Sequence, residues 1–270
     1  IASATGIGSF NSSDLYKKMS GKQVTANVSL SWQSDNLYGN STPKDLRTLF
    51  ELIYLRFQAP ANDVDSYNML INQMRTSLDN AEKQPTIAFN DSLMAAVYGN
   101  NPRTRRFKKA DIDNVSYDVY RKMDESRFAS VGDFDFFFTG AFNADSLKFF
   151  VEQYIAPLPG VKSREVRRKA PKYVAGSLEN RFTRQMETPQ AYVCQMWTGD
   201  RNYTVRESVI MKFLSSILDA RYVKTIREEA GFAYSVSVGG VQDDEQYVMQ
   251  ILAPFTPSKC DSVLLLMRES

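Results

Sequence analysis

Ile226-Arg227-Glu228-Glu229-Ala230-Gly231-Phe232-Ala233-Tyr234-Ser235-Val236-Ser237-Val238 decides how the rest of the chain is read. Lys224, Thr225 and Arg227 are polar helix formers, and Gly231 stands where a left-handed residue ends a helix. Beyond it Phe232, Tyr234, Val236 and Val238 alternate with Ala233, Ser235 and Ser237, the period of a half-buried strand. A helix, a glycine stop and a strand put Arg227 and Tyr234 on the two sides of one corner, close enough to share a ligand. The spacing alone favours a plainer outcome, with Arg227 paired to a carboxylate and Tyr234 packed in the sheet.

Working outward, the same alternation marks strands at 24–32, 191–197 and 246–252, with a short one near Leu37 and Tyr38. Asn11 to Asp14 caps a short helix, and Thr42-Pro43 opens another whose apolar face is Leu46, Leu49, Phe50, Ile53 and Phe57. A helix from Asp63 turns Tyr67, Leu70, Ile71, Met74 and Leu78 inward, and a further one follows Pro85. Asp111 to Phe128 reads as one helix with Val119 and Met123 in register, Phe134 to Gly140 as a buried strand, and Asp145 to Tyr154 as a helix. Val209, Ile210, Phe213, Leu214 and Ile217 mark the helix that runs into the opening stretch. Such an order predicts an α+β protein with mixed or antiparallel sheets covered by helices on one face. The stretch 157–178, rich in Pro, Gly, Lys and Arg, predicts a linker between a first α+β domain at 1–156 and a second at 179–270.

Composition narrows the chemistry. The chain has 270 residues, 43% of them hydrophobic, and 33 basic against 31 acidic side chains, so the total charge carries no bias toward a polyanion. The basic run Arg103 to Lys109 lacks flanking aromatics on a strand and any nucleic-acid motif, and is expected to be a solvated loop. No run is apolar and long enough to span a membrane, and no nucleic-acid partner is expected. There is no histidine, which excludes a histidine-bearing zinc site, a Ser-His-Asp triad and an imidazole base from this chain. Carboxylates alone could hold a hard cation, but none cluster at a suitable spacing. Cys194 and Cys260 sit among apolar neighbours and are expected to be buried thiols, with a disulfide left open.

The order of strand 24–32, helices 42–57 and 63–80, Tyr98-Gly99-Asn100-Asn101-Pro102, Phe138-Thr139-Gly140-Ala141-Phe142 and Tyr154-Ile155-Ala156-Pro157-Leu158-Pro159 resembles the pitrilysin/insulinase (M16) family of zinc metalloproteases. Ile226 to Val236 resembles that family's "LRE-x-x-G-x-A/G-Y-S-V" element. The resemblance implies repeated M16-type domains of the LuxS/MPP-like metallohydrolase fold, in two halves that close around a peptide. Only one half bears the zinc motif His-x-x-Glu-His. Here its place is taken by Ala2 to Phe10, which has no ligand, so the chain resembles the metal-free carboxy-terminal half. This implies a first domain lacking its amino-terminal part and a truncated second one. It implies no cofactor in this chain, zinc in the catalytic half of the same protein, and a peptide substrate. Arg227 and Tyr234 match the Arg and Tyr with which that half reaches the substrate backbone and the oxyanion. The glycine-rich loop of related processing-peptidase subunits is not matched, since Leu218 to Val223 holds no glycine. The expected function is that of the substrate-clamping half of an endopeptidase of the periplasm or cell envelope, inactive alone. The rival is a non-enzymatic scaffold subunit on the same fold. A truncated second sheet would expose apolar surface, which a second copy of the chain could cover as a homodimer.

Overall fold

The computed structural model describes residues 2–31, 34–58, 62–161, 165–166, 168–187, 189–243 and 245–269. The chain divides into two compact units, one of Ile1–Leu78 with Lys108–Ala170, the other of Asp79–Phe107 with Pro171–Ser270. One change of unit falls at 170/171. Residues 79–107 group with the later residues in this division.

In the first unit α1 (Ser12–Met19) starts at Asn11, whose side chain accepts from the Asp14 amide. Next, β1 (Val24–Leu30) pairs antiparallel with β2 (Asp35–Ser41), from Val24 opposite Ser41 to Leu30 opposite Asp35. Trp32, included in the expected strand, lies outside the described residues. Val24, Ala26, Val28 and Leu37 pack onto Leu49, Ile53 and Phe57 of α2 (Leu46–Arg56) and its end. The start of α2 is not the direct Thr42 cap that the sequence predicts. A 3-10 turn at Pro43–Asp45 comes first, and the Asp45 carboxylate accepts from Thr42 Oγ1 and the Gln23 amide.

Then come α3 (Val64–Glu82), α4 (Pro85–Val97), α5 (Lys109–Ile112), α6 (Tyr117–Arg127) and α7 (Ala144–Phe150), the last running into a π-helical turn at Val151–Ile155. The expected single helix 111–128 is broken, because Ser116 caps a new start by accepting from the Val119 amide. Its register also differs from expectation. Val119 and Met123 are exposed, while Tyr120, Asp124 and Phe128 are buried. The inward face is set by Arg56, which pairs with Asp124 and lies 5.4 Å over the Phe128 ring. Burial raises the Asp124 pKa against the opposing field of Arg56. Phe134 to Gly140, expected as a strand, has no ladder among the described residues. It keeps the alternation nonetheless: Phe134 and Phe136 join the core, Phe138 stacks on Phe50 at 5.4 Å, and Phe137 is exposed.

The second unit contains β3 (Ala191–Asp200), α8 (Val205–Tyr222), β4 (Ser237–Gln242), β5 (Gln246–Phe255) and α9 (Cys260–Glu269). Its sheet has the order β3-β5-β4 with both pairings antiparallel. The core consists of Tyr222, Ile226, Ala233, Val236, Ile251, Ala253, Phe255, Val263 and Met267. α4 belongs here through Phe89, stacked on Tyr192 at 5.2 Å, and through Val97, whose carbonyl accepts from the Val174 amide at 2.8 Å. The stripe Val209, Ile210, Phe213, Leu214 and Ile217 that signals α8 is its exposed face. The face toward β4 carries Met211 and Ser215, which reach the backbone at Gly240. Arg106, expected in a solvated loop, instead forms a two-pronged pair with Asp91, both about a fifth exposed. Contrary to expectation, Cys260 is exposed; Cys194 is half-buried and both thiols are free. Among the described residues no helix is long and apolar enough to cross a membrane.

Candidate functional site

The corner is built from the backbone outward. After Tyr222 the helix continues as a π-helical stretch, Val223–Glu229, whose wider turn is closed by the Ala230 amide on the Thr225 carbonyl at 3.2 Å. Gly231 then adopts φ +63°, and the Phe232 amide returns to the Ile226 carbonyl at 3.1 Å. A Cβ at Gly231 would meet nothing within 4 Å, so glycine is required there by backbone conformation alone. Ile226, fully buried, anchors the corner.

Arg227 follows Ile226 and is exposed. Among the described residues its side chain has no ion pair or hydrogen bond, whereas its neighbour Glu229 pairs with Lys224 at 3.8 Å. On the other side of Gly231, Tyr234 is 71% exposed. Its amide donates to the Pro254 carbonyl at 3.3 Å, and its hydroxyl lies 3.4 Å from Thr256 Oγ1. The plainer alternative, Arg227 paired and Tyr234 packed, is not what the corner shows.

The expected strand from Phe232 is corrected. Ala233 makes one isolated bridge to Phe255, and the ladder of β4 begins only at Ser237. Ala233 and Val236 are buried in place of the alternating set, because a single bridge followed by irregular backbone shifts the side-chain period from two to three. That irregularity leaves Tyr234 outward. Thr256 and Lys259, whose ammonium lies 5.3 Å from the Phe232 ring centroid, were not singled out in the sequence. They come from a turn far along the chain, and Thr256-Pro257 reads locally only as a helix start.

The segment Ala2 to Phe10 is tied down by hydrogen bonds within the first unit. Thr5 hydrogen-bonds Tyr120 at 2.6 Å, and the amides of Gly6 and Ser12 donate to one Asp63 oxygen at 2.9 and 2.8 Å. A Cβ on Gly6 would lie 2.0 Å from the Phe10 carbonyl oxygen. With no histidine in the chain, and no cluster of three acidic or sulfur ligands among the described residues, the donor set does not fit zinc.

Two antiparallel sheets with covering helices, and a glycine corner presenting an arginine and a tyrosine, define the class as an α+β protein. A family profile described as the Peptidase M16 inactive domain matches residues 114–270, more than half of the chain, and the chain belongs to that family. Comparison with curated protein sequences finds no match. The fold is similar to that of the periplasmic protease PqqL from Escherichia coli, with TM-score 0.83 and 20% identity over 98% of this chain and 30% of that one. It is also similar to the ferredoxin protease FusC, solved in complex with Arabidopsis ferredoxin (TM-score 0.78, 16% identity, 99% of this chain and 30% of that one). A peptidase M16 inactive domain from Pseudomonas fluorescens aligns with TM-score 0.70 and 14% identity over 98% of this chain and 65% of that one. The chain thus spans 30% of the length of the two proteases.

Proposed function

We propose that this chain is the substrate-clamping, non-catalytic part of an M16-type zinc-dependent endopeptidase of the periplasm, whose zinc is held by a His-x-x-Glu-His half of the same protein. The observation that carries the reading is the corner at Gly231, where Arg227 and Tyr234 stand exposed on a backbone fixed by buried Ile226 and Ala233. Family membership and the likeness to two proteases support it. Hydrolysis of a peptide bond builds negative charge on the carbonyl oxygen, and fixed donors aimed at it are worth several kcal/mol. Arg227 supplies a permanent charge on a planar fork, and Tyr234 supplies one hydroxyl on a short, stiff side chain.

The test is complementation. The chain by itself should leave an unstructured peptide uncut. Added to the zinc-bearing half, it should restore hydrolysis that a chelator abolishes. Hydrolysis by the isolated chain, or a zinc half equally active without it, contradicts the proposal.

A further inference from the structure

Tyr234 has little to hold its ring in one place. It is 71% exposed, and β4 does not begin until Ser237, so no ladder neighbour flanks it. What does reach it comes from the end of β5. The Tyr234 amide is bonded to the Pro254 carbonyl, Ala233 bridges to Phe255, and the next residue, Thr256, places Oγ1 3.4 Å from the Tyr234 hydroxyl. Thr256 is itself fixed. Its carbonyl accepts from the Lys259 amide at 2.9 Å across the Pro257–Lys259 turn, and the Lys259 ammonium returns over the Phe232 ring. The Thr256 side chain does not cap that turn, and its hydroxyl carries one proton to donate.

We infer that Thr256 is a positioning residue for Tyr234. Its hydroxyl donates to the phenolic oxygen, so that the phenolic proton is turned outward toward a bound oxyanion. A hydroxyl has one proton and two lone pairs. If Thr256 gives its proton to Tyr234, the Tyr234 proton cannot point back at Thr256 and is free for a ligand. The chain Thr256 O–H to Tyr234 O–H to oxyanion also polarises the second bond and strengthens it. Without a ligand either hydroxyl can donate, and the 3.4 Å separation is long for such a bond. Catalytic contacts of this kind tighten when the reacting group is bound.

This inference rests on the proposed function, and its test separates the two. In the two-half protease, Thr256→Val removes the donor at nearly constant volume, while Thr256→Ser keeps it. Thr256→Val should lower kcat roughly three- to tenfold with KM unchanged, the value of one hydrogen bond; Thr256→Ser should stay near wild type. In a Tyr234→Phe background the valine should add nothing, because the group it orients is gone. Thr256→Ala serves the same purpose should valine disturb the turn, with thermal unfolding as the check on folding. A Tyr234→Phe that lowers kcat beside a silent Thr256→Val overturns the role of Thr256 and leaves the function standing. Additive effects of the two substitutions also overturn it. A silent Tyr234→Phe overturns both.

Discussion

Arg56 and Asp124 meet at 3.4 Å with only 6% and 7% of their side chains exposed, joining the end of α2 to α6. Arg56 also donates to the Ala2 carbonyl, so a single guanidinium ties the amino-terminal segment, α2 and α6 together. Taking both charges out of water is costly, and removing one partner is worse than removing both. Asp124→Leu or Arg56→Met alone should therefore destabilise the chain by about 3–5 kcal/mol, whereas the two together should cost clearly less than their sum. Denaturant unfolding of both single variants and the double one checks this. A double variant as unstable as the sum of the singles would show that the two are not coupled.

Asp63 gives the first unit an acid-sensitive joint. Burial acts to raise its pKa, but hydrogen bonds from the Ser12 amide, the Ser66 side chain and the amides of Gly6 and Ser66 outweigh it, and the carboxyl titrates below its ordinary 3.8. A carboxyl depressed in the folded state contributes stability that is present above the unfolded pKa and is lost as pH falls through the folded one. The wild-type chain should thus lose stability below about pH 4, and Asp63→Asn should lose less of it over that range while being weaker near neutrality. Denaturant midpoints measured near neutral pH and near pH 3 decide it. Parallel curves for the two proteins would remove Asp63 from the explanation.

The two thiols should react at different rates in the folded chain. Burial pushes the Cys194 pKa up to about 11, which leaves little thiolate at neutral pH, and Cys260 is exposed at the start of α9. Iodoacetamide labelling read by peptide mass should modify Cys260 first and Cys194 only on unfolding. Equal labelling of both in the folded chain would contradict this assignment.

Much of the fold is legible in the sequence because alternation and caps act locally. Asn11 and Asn143 cap helices through their own side chains, and β5 can be read from its neighbours alone. The failures have a common cause, which is distance along the chain. The register of α6 is set by Arg56 of α2, and Arg106 is drawn out of a solvated loop by Asp91 of α4. Of the candidate site, Gly231 and its two flanking side chains could be read locally, since a glycine stop has a local signature. That Tyr234 faces outward follows from the family resemblance and not from the local pattern. Its orientation depends on a lone bridge between Ala233 and Phe255, and the period-two pattern predicts continued pairing there.

If Arg227 and Tyr234 act on developing charge, their substitution should change rate and spare folding. Tyr234→Phe removes one donor with almost no change in volume, and the ring is too exposed for the missing oxygen to affect the core. In the two-half protease it should lower kcat by roughly ten- to a thousandfold with little effect on stability. Arg227→Lys keeps the charge but loses the planar fork, so it too should be impaired. Arg227→Ala, at an exposed position where the side chain has no partner among the described residues, should leave the unfolding free energy within about 0.5 kcal/mol of wild type. A merely packed pair would behave in the opposite way, losing stability and keeping kcat. Steady-state kinetics and unfolding on the same preparations separate the two outcomes, and wild-type kcat in a folded Tyr234→Phe protein would rule out the oxyanion role.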